Sequence, residues 1–267
     1  MLPVMSFDRS RRIAGALYEV ASSSSTNSEL SARADREGMR DLTVMLTRYQ
    51  SAGRGRLGRA WTAPPGAAVA ASVLLRPRLP DGTVPGPDRL GWLPIIAGVS
   101  MSAAMRQALP GRTVGFKWPN DVLVGGRKIC GILTELLPSG TGVIIGSGFN
   151  TRMTAEELPV PTATSLAVEG VAVDDALEDA VLAAYLEGLR DRAARYFAAG
   201  ADADASGIRA EARSACLTLA RAVRIELPGG EELDATAVDL DADGRLVVAD
   251  RDGLARSVAA GDVTHVR

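Results

Sequence analysis

Three arginines are threaded through three glycines in Gly53-Arg54-Gly55-Arg56-Leu57-Gly58-Arg59, and Ala60-Trp61 follow. Glycine lets backbone approach a ligand closely, and arginine carries a permanently charged fork of donors matched to phosphate and carboxylate. Such a loop can close over an anion; read alone, it is also a solvated basic turn. Further along, Lys117-Trp118-Pro119-Asn120-Asp121 gathers an ammonium, an amide and a carboxylate around an X-Pro step. The lysine can neutralise a phosphate, Asn120 can donate or accept, and Asp121 can hold a divalent metal or orient the amide. The plain alternative is a polar turn between strands. Lys128 opens K-I-C-G-I-L-T-E-L, an alternating strand broken by Gly131, and Gly146-Ser147-Gly148-Phe149-Asn150 ends the next strand in the same manner. A glycine inside a strand marks close approach by a ligand or another backbone.

Several chemistries are excluded. The string G-R-G-R-L-G satisfies the dinucleotide fingerprint literally, but that fingerprint must open a helix and be followed by a ribose-binding carboxylate. Pro64-Pro65 forbids the immediate helix, and the first carboxylate after the loop is Asp81. The phosphate-binding pattern G-x-x-x-x-G-K-[ST] is absent. The single histidine is His265, in a strand-like run near the chain's edge, which leaves a nucleophilic triad without a well-placed base. Cys130 and Cys216 have no metal or disulfide spacing and read as buried thiols. Asp239, Asp241, Asp243, Gly244 and Asp250 imitate a calcium loop, but strands flank them and Val247 fills a ligand position, so they read as a hairpin turn.

The elements that must position these groups follow from periodicity. Ser25-Thr26-Asn27 caps a short helix, residues 41–48 alternate like a strand that delivers Tyr49-Gln50, and Val69–Leu75 reads as a buried strand. Residues 89–109 read as a core helix despite Pro94. Glycine-bounded runs at 114–117, 121–124, 128–137 and 142–145 read as a mostly antiparallel meander. A long helix over 174–199 and a shorter one ending at Ala215 close a first domain, 1–215. The turns P-G-G-E-E, D-A-D-G and R-D-G separate short strands in 216–267, which reads as a small SH3-like barrel.

The chain has 267 residues, 46% of them hydrophobic, enough for a real core. A net charge of −2 and a pI near 5.6 argue against a surface made for nucleic acid, so any polyanion contact is local. M-L-P-V-M-S-F-D-R-S-R-R has no apolar run of signal-peptide length, and Ala67–Leu75 is too short to span a bilayer; a cytoplasmic location with no membrane contact is expected. What remains is an anion pocket without a covalent nucleophile. A carboxylate substrate attacking the α-phosphate of ATP needs alignment, charge neutralisation and exclusion of water, because the carboxylate is itself the nucleophile. Activation of an acid by adenylation fits this inventory.

S-S-T-N, Y-Q-S-A-G-R-G-R-L-G-R-A-W, K-W-P-N-D, G-R-K-I-C-G-I-L-T-E and G-S-G-F-N occur in the order and spacing of biotin protein ligases, and the chain resembles that family from about residue 20 to 267. T-A-T-S-L and the small C-terminal barrel belong to the match. The resemblance implies an α+β fold of the class II synthetase-like biotin/lipoate ligase type, with a central mixed, largely antiparallel sheet packed by helices and an SH3-like C-terminal domain. It implies a biotin–[acetyl-CoA-carboxylase] ligase that makes biotinyl-5′-AMP from biotin and ATP with Mg2+. The biotin then goes to a lysine of the biotin carboxyl carrier domain of acyl-CoA carboxylases.

Carried over by position, the biotin contacts fall on Ser25, Thr26, Asn27, Gln50, Gly53, Arg54, Gly55, Arg56, Lys128 and Gly131. Arg54, Arg56, Lys117 and Lys128 become the catalytic cations. Arg56, Arg59, Trp61, Lys117, Asn120 and Asn150 become the nucleotide side, and Asp121 the magnesium ligand. Ser, Thr and Gln suit a ureido group's donors and acceptors.

Two departures stand out. About 20 residues precede S-S-T-N, too few for the DNA-binding region many relatives carry, so no DNA contact is expected. Leu57 occupies a position often basic in this family, which removes one charge from the loop. The expected assembly is a monomer or weak homodimer. The alternatives are a lipoate or octanoate protein ligase, which shares fold and chemistry, and a non-enzymatic nucleic-acid-binding module using the arginine loop on phosphates.

Overall fold

Apolar runs in the first 150 residues are recruited into one sheet. The computed structural model describes residues 7–227, 230–250, 252–259 and 261–266. The first unit runs α1 (Asp8–Ile13), β1 (Ala16–Glu19), α2 (Thr26–Ala34), β2 (Thr43–Thr47), a small hairpin of β3 (Gly53–Arg54) and β4 (Ala60–Trp61), and β5 (Ala68–Leu75). It continues through α3 (Leu93–Ala108), β6 (Val114–Lys117), β7 (Asp121–Val124), β8 (Arg127–Leu136), β9 (Val143–Asn150), α4 (Asp175–Ala198) and α5 (Ile208–Ala215). The sheet order is β1-β2-β5-β9-β8-β7-β6. Only the β1–β2 ladder is parallel, so the sheet is mixed and largely antiparallel, as expected.

Both faces of this sheet are covered, which is why β5, A-V-A-A-S-V-L-L, is buried at every position. Val69, Ala71, Val73 and Leu75 join the core beneath α3 and α4, while Leu74 joins Leu30 and Ala34 of α2 on the opposite face. Ser72 lies on the α2 side of this alternation. Residues 87–89 form a separate turn, and α3 starts only at Leu93, later than periodicity suggested. Pro94 falls in the first turn, where its missing N–H costs no intrahelical bond. Glu178 of α4 is fully buried and carries two guanidiniums: Arg48, just before Gln50, and Arg152, just after Asn150, at 3.0 Å. The ends of β2 and β9 are thereby fixed to one helix.

The C-terminal unit comprises β10 (Ala222–Glu226), β11 (Glu232–Leu240), β12 (Leu246–Ala249), β13 (Ala255–Val258) and β14 (Asp262–His265). They form an antiparallel sheet in the order β13-β12-β11-β10-β14. The calcium-like spacing is a hairpin turn, since Asp241 Oδ1 accepts the N–H groups of Asp243 and Arg245, both at 2.9 Å. Residues 1–6, Pro228 and Gly229 of P-G-G-E-E, and Arg251 of R-D-G lie outside the described residues. Among the described residues no helix is long and apolar enough to cross a membrane.

That same hairpin turn docks the unit. Trp92 Nε1 donates to Ala242 O at 2.7 Å and Trp118 Nε1 to Gly244 O at 3.0 Å, with both rings almost wholly buried. Trp118 N–H donates to Thr218 Oγ1 at 3.0 Å, so K-W-P-N-D is held from the C-terminal side. A Trp92→Phe substitution keeps an aromatic ring of smaller size, removes the indole N–H and strands the Ala242 carbonyl. It should lower unfolding free energy by about 1–3 kcal/mol, read as a lower urea midpoint at unchanged slope; an unchanged midpoint would show that the contact contributes nothing.

Candidate active site

Ser25 caps α2, its Oγ accepting Ser28 N–H at 3.4 Å, which puts Thr26 and Asn27 in the first helical turn over the sheet. Gln50 lies opposite. Its Oε1 accepts Thr26 N–H at 2.7 Å and sits 3.0 Å from Thr26 Oγ1, and a backbone donor there obliges the amide to turn its Nε2 away. Among the described residues Nε2 has no acceptor, and both it and the Ser25 hydroxyl border the cleft. Asn27 is fully engaged: Nδ2 donates to Glu135 Oε2 at 2.7 Å and Leu133 O at 3.2 Å, and Oδ1 accepts the Ser72 hydroxyl at 2.6 Å. It lines the cleft as a support whose amide is already satisfied within the protein.

The strand glycines seat side chains of the protein itself. A Cβ on Gly146 would press on Asn27, with Cγ only 2.8 Å away; one on Gly148 would lie 2.6 Å from Trp61 Cε2. A Cβ on Gly131 would meet Lys128 Cε and Nζ at 3.2 Å. The sequence suggested a ligand or another backbone at these glycines; in this structure the groups against them are side chains, an amide, an indole and an ammonium.

Positive charge collects at the mouth. The arginine loop is the β3–β4 hairpin, Gly53 pairing with Trp61 and Arg54 with Ala60, with no helix following. Its tip, Arg56–Gly58, places Leu57 at φ 55, a left-handed value unusual for a leucine. Arg54 pairs with Glu135 at 2.9 Å, and Arg56 Nη1 donates to Asn120 Oδ1 at 3.0 Å. The Arg56 guanidinium also reaches Gly261 O at 3.4 Å, and Arg59 pairs with Asp262, so β14 of the C-terminal unit grips the loop. Lys128 Nζ lies 2.7 Å from Asp121 Oδ1. Lys117 has no hydrogen-bond or ion-pair partner among the described residues, and burial, reinforced by Lys128 and Arg59, holds its pKa below an ordinary lysine's despite Asp121.

Ser25, Thr26, Asn27, Gln50, Arg54, Gly55, Arg56, Trp61, Asn120, Lys128 and Gly131 therefore line one cleft of about 530 Å³, open to solvent. Gly53 stands behind it, giving room to the Gln50 side chain and Trp61. Arg59 is on the outer side of the hairpin. Asn150 lines an adjoining hollow with Trp61, Lys128 and Gly148, and its Nδ2 donates to Thr164 O at 2.9 Å. The T-A-T-S-L segment containing Thr164 runs along Lys128, receiving Lys128 N–H at Thr162 O at 2.7 Å and returning Thr164 N–H to Lys128 O at 2.8 Å.

Ser72 and Glu135 escaped the sequence reading. A lone serine in an all-apolar strand and the carboxylate ending G-I-L-T-E were the signals that could have found them. His265 lies 3.3 Å from Thr218 Oγ1; burial, then the Lys117 charge, pushes its pKa down to about 4, so it is neutral near pH 7.

The sequence pattern of the biotin/lipoate A/B protein ligase family matches residues 19–150, and that of the biotin protein ligase C-terminal domain matches 218–266. The biotin–[acetyl-CoA-carboxylase] ligase of Mycobacterium tuberculosis is 38% identical over 250 residues, covering 93% of this chain and 88% of that protein. Among solved structures, the Aquifex aeolicus biotin protein ligase in complex with biotin and ATP superposes with a TM-score of 0.73 at 24% identity, over 94% of this chain and 98% of that one. The Leishmania major enzyme in complex with biotinyl-5-AMP gives 0.55 at 24% identity, over 91% and 98%. The chain belongs to the biotin protein ligase family.

Neither thiol serves the cleft. Burial pushes the Cys130 thiol well above the ordinary cysteine range and raises that of Cys216, which favours the neutral thiol in both. Iodoacetamide at about pH 8 should label neither thiol until the protein unfolds, as mass spectrometry would reveal; rapid native labelling would contradict their inertness.

Proposed function

We propose that the cleft holds biotin with its ureido ring at the deep, uncharged end and its carboxylate at the cationic mouth. The supporting observation is this division. Gln50 Nε2 and the Ser25 hydroxyl are donors awaiting an acceptor, and Arg54, Arg56, Asn120 and Lys128 converge at the mouth. The enzyme activates biotin with ATP and transfers it to the biotin carrier of acetyl-CoA carboxylase. Residues 1–215 form the ligand-binding domain and 216–267 the appended one.

One carboxylate oxygen of biotin attacks the α-phosphorus of ATP, and pyrophosphate leaves with the electrons of the broken P–O bond. Lys128 and Arg56 stabilise the charge gathering between carboxylate and α-phosphate. Lys117, Arg59 and Asn120 hold the leaving phosphates, and Trp61 and Asn150 border the nucleoside. Arg54, already paired with Glu135, fixes the hairpin over the acid. In the second step the carrier's lysine amine attacks the acyl carbon, AMP departs with the carboxylate oxygen it acquired, and the amine's proton is released. No enzyme nucleophile is required.

Asp121 is the residue that would hold a magnesium ion brought by the nucleotide. Among the described residues no cluster of three or more His, Cys, Asp or Glu could hold a metal, but the single carboxylate of Asp121 suits an ion otherwise ligated by phosphates and water. Bound there, the ion offsets charge on the phosphates.

A lipoate ligase is disfavoured by the deep end: a dithiolane offers no strong acceptor, and the Gln50 and Ser25 donors would be buried unsatisfied. Pyrophosphate release should require biotin and ATP together and should not occur with lipoate. Lys128→Ala should lower kcat about 100- to 1,000-fold; release with lipoate, or independent of any acid, would overturn the reading.

Lys117 supplies a pH signature. Because its pKa is lowered, its charge is lost earlier as pH rises, so the KM for ATP should climb between neutrality and about pH 10. Lys117→Arg, whose charge does not titrate there, should flatten that climb. Identical profiles in both proteins would remove Lys117 from the phosphate site.

A further inference from the structure

We infer that Glu135 is a positioning residue that sets the hydrogen-bond polarity of the cleft's deep end and so selects acids with a ureido head over plain alkanoic acids. The inference rests on the proposed biotin-activating function and extends it to a residue outside the ligand contacts.

The direction of each hydrogen bond follows from the one before it. An ionised carboxylate only accepts, so Glu135 Oε2, 2.7 Å from the Asn27 amide, must face Nδ2. Leu133 O, also an obligate acceptor, takes the second Nδ2 hydrogen at 3.2 Å. Asn27 Oδ1 is then directed to Ser72, whose single proton it accepts at 2.6 Å. Ser72 Oγ, its proton spent, can only accept from the Thr26 hydroxyl 2.7 Å away, so the one Thr26 proton is withheld from Gln50 Oε1 at 3.0 Å. Thr26 Oγ1 and Gln50 Oε1 are then left with lone pairs at the cleft, and the Ser25 hydroxyl and Gln50 Nε2 with hydrogens.

Acceptors beside donors are the complement of a ureido ring, which presents one carbonyl oxygen and two N–H groups. An unbranched alkanoate has neither. Glu135 stands at the head of this relay, some way from the head group it selects, and the Arg54 salt bridge at 2.9 Å offsets its charge and joins it to the hairpin. The relay crosses from β8 to α2 to β5, all buried except at Glu135, and Gly146 is bare because Asn27 occupies the space above it.

The polarity depends on Glu135 being unable to donate. In Glu135→Gln the side chain keeps its shape but can present N–H to Asn27, and nothing then compels the Asn27 amide to keep its orientation. The experiment is ATP–pyrophosphate exchange driven by biotin or by octanoate in the wild type, Glu135→Gln and Ser72→Ala. Ser72→Ala cuts the relay in the middle, in a strand already rich in alanine, and answers the question if Glu135→Gln does not fold.

For biotin, KM should rise at least tenfold in both variants, with kcat within threefold and KM for ATP unchanged. The ratio of kcat/KM for biotin to that for octanoate should shrink at least tenfold. An unchanged ratio, or parallel loss with both acids and ATP, would overturn the role of Glu135. Wild-type protein that fails to exchange pyrophosphate with biotin would instead overturn the function itself.

Discussion

A carboxylate and a triphosphate repel each other, and the cleft must hold enough positive charge between them to bring oxygen to phosphorus without that charge collapsing on itself. Most of the cations are partnered within the protein: Lys128 by Asp121, Arg54 by Glu135, Arg56 by Asn120 and Gly261, Arg59 by Asp262. These partners hold the guanidiniums and the ammonium in place around the cleft. In the proposed reaction, phosphate and carboxylate oxygens would exchange one set of charge-assisted hydrogen bonds for another, with little rearrangement of the dipoles around them. Lys117 is half-buried and has no such partner among the described residues.

The fold supplies that geometry by dividing one sheet between two tasks. Its α3–α4 face is a conventional apolar core. The other face, under α2, becomes polar at one end, where Ser72, Gly131, Gly146 and Gly148 replace large side chains and let Asn27, Trp61 and Lys128 settle against the strands. The C-terminal unit is tied to this end twice: by two indole donors to the 242–244 turn and by the grip of β14 on the arginine hairpin. Docking of the small sheet and placement of the loop are therefore parts of one structure.

Much of this was legible in the chain. Ser25 announced its cap because capping is a local matter of three residues, and Pro64-Pro65 excluded a dinucleotide site by backbone sterics alone. The strand-rich end separated from the helices because turn chemistry is local too. Pairings across long separations were not legible. Nothing near Arg59 names Asp262, and nothing near Glu135 names Asn27, which is 108 residues away. The strand glycines suggested a ligand or another backbone coming close; that side chains fill the space instead depends on which elements the sheet order makes neighbours. Asn27, grouped with its neighbours as a ligand contact, proves to have its amide spent inside the protein.

The account turns on the acid itself attacking phosphorus, and isotope transfer tests this most directly. Biotin labelled with 18O in its carboxylate would be carried through a complete turnover onto the carrier lysine, and the AMP and pyrophosphate would be analysed by mass spectrometry. One labelled oxygen should appear in AMP and none in pyrophosphate; AMP free of label would contradict the mechanism.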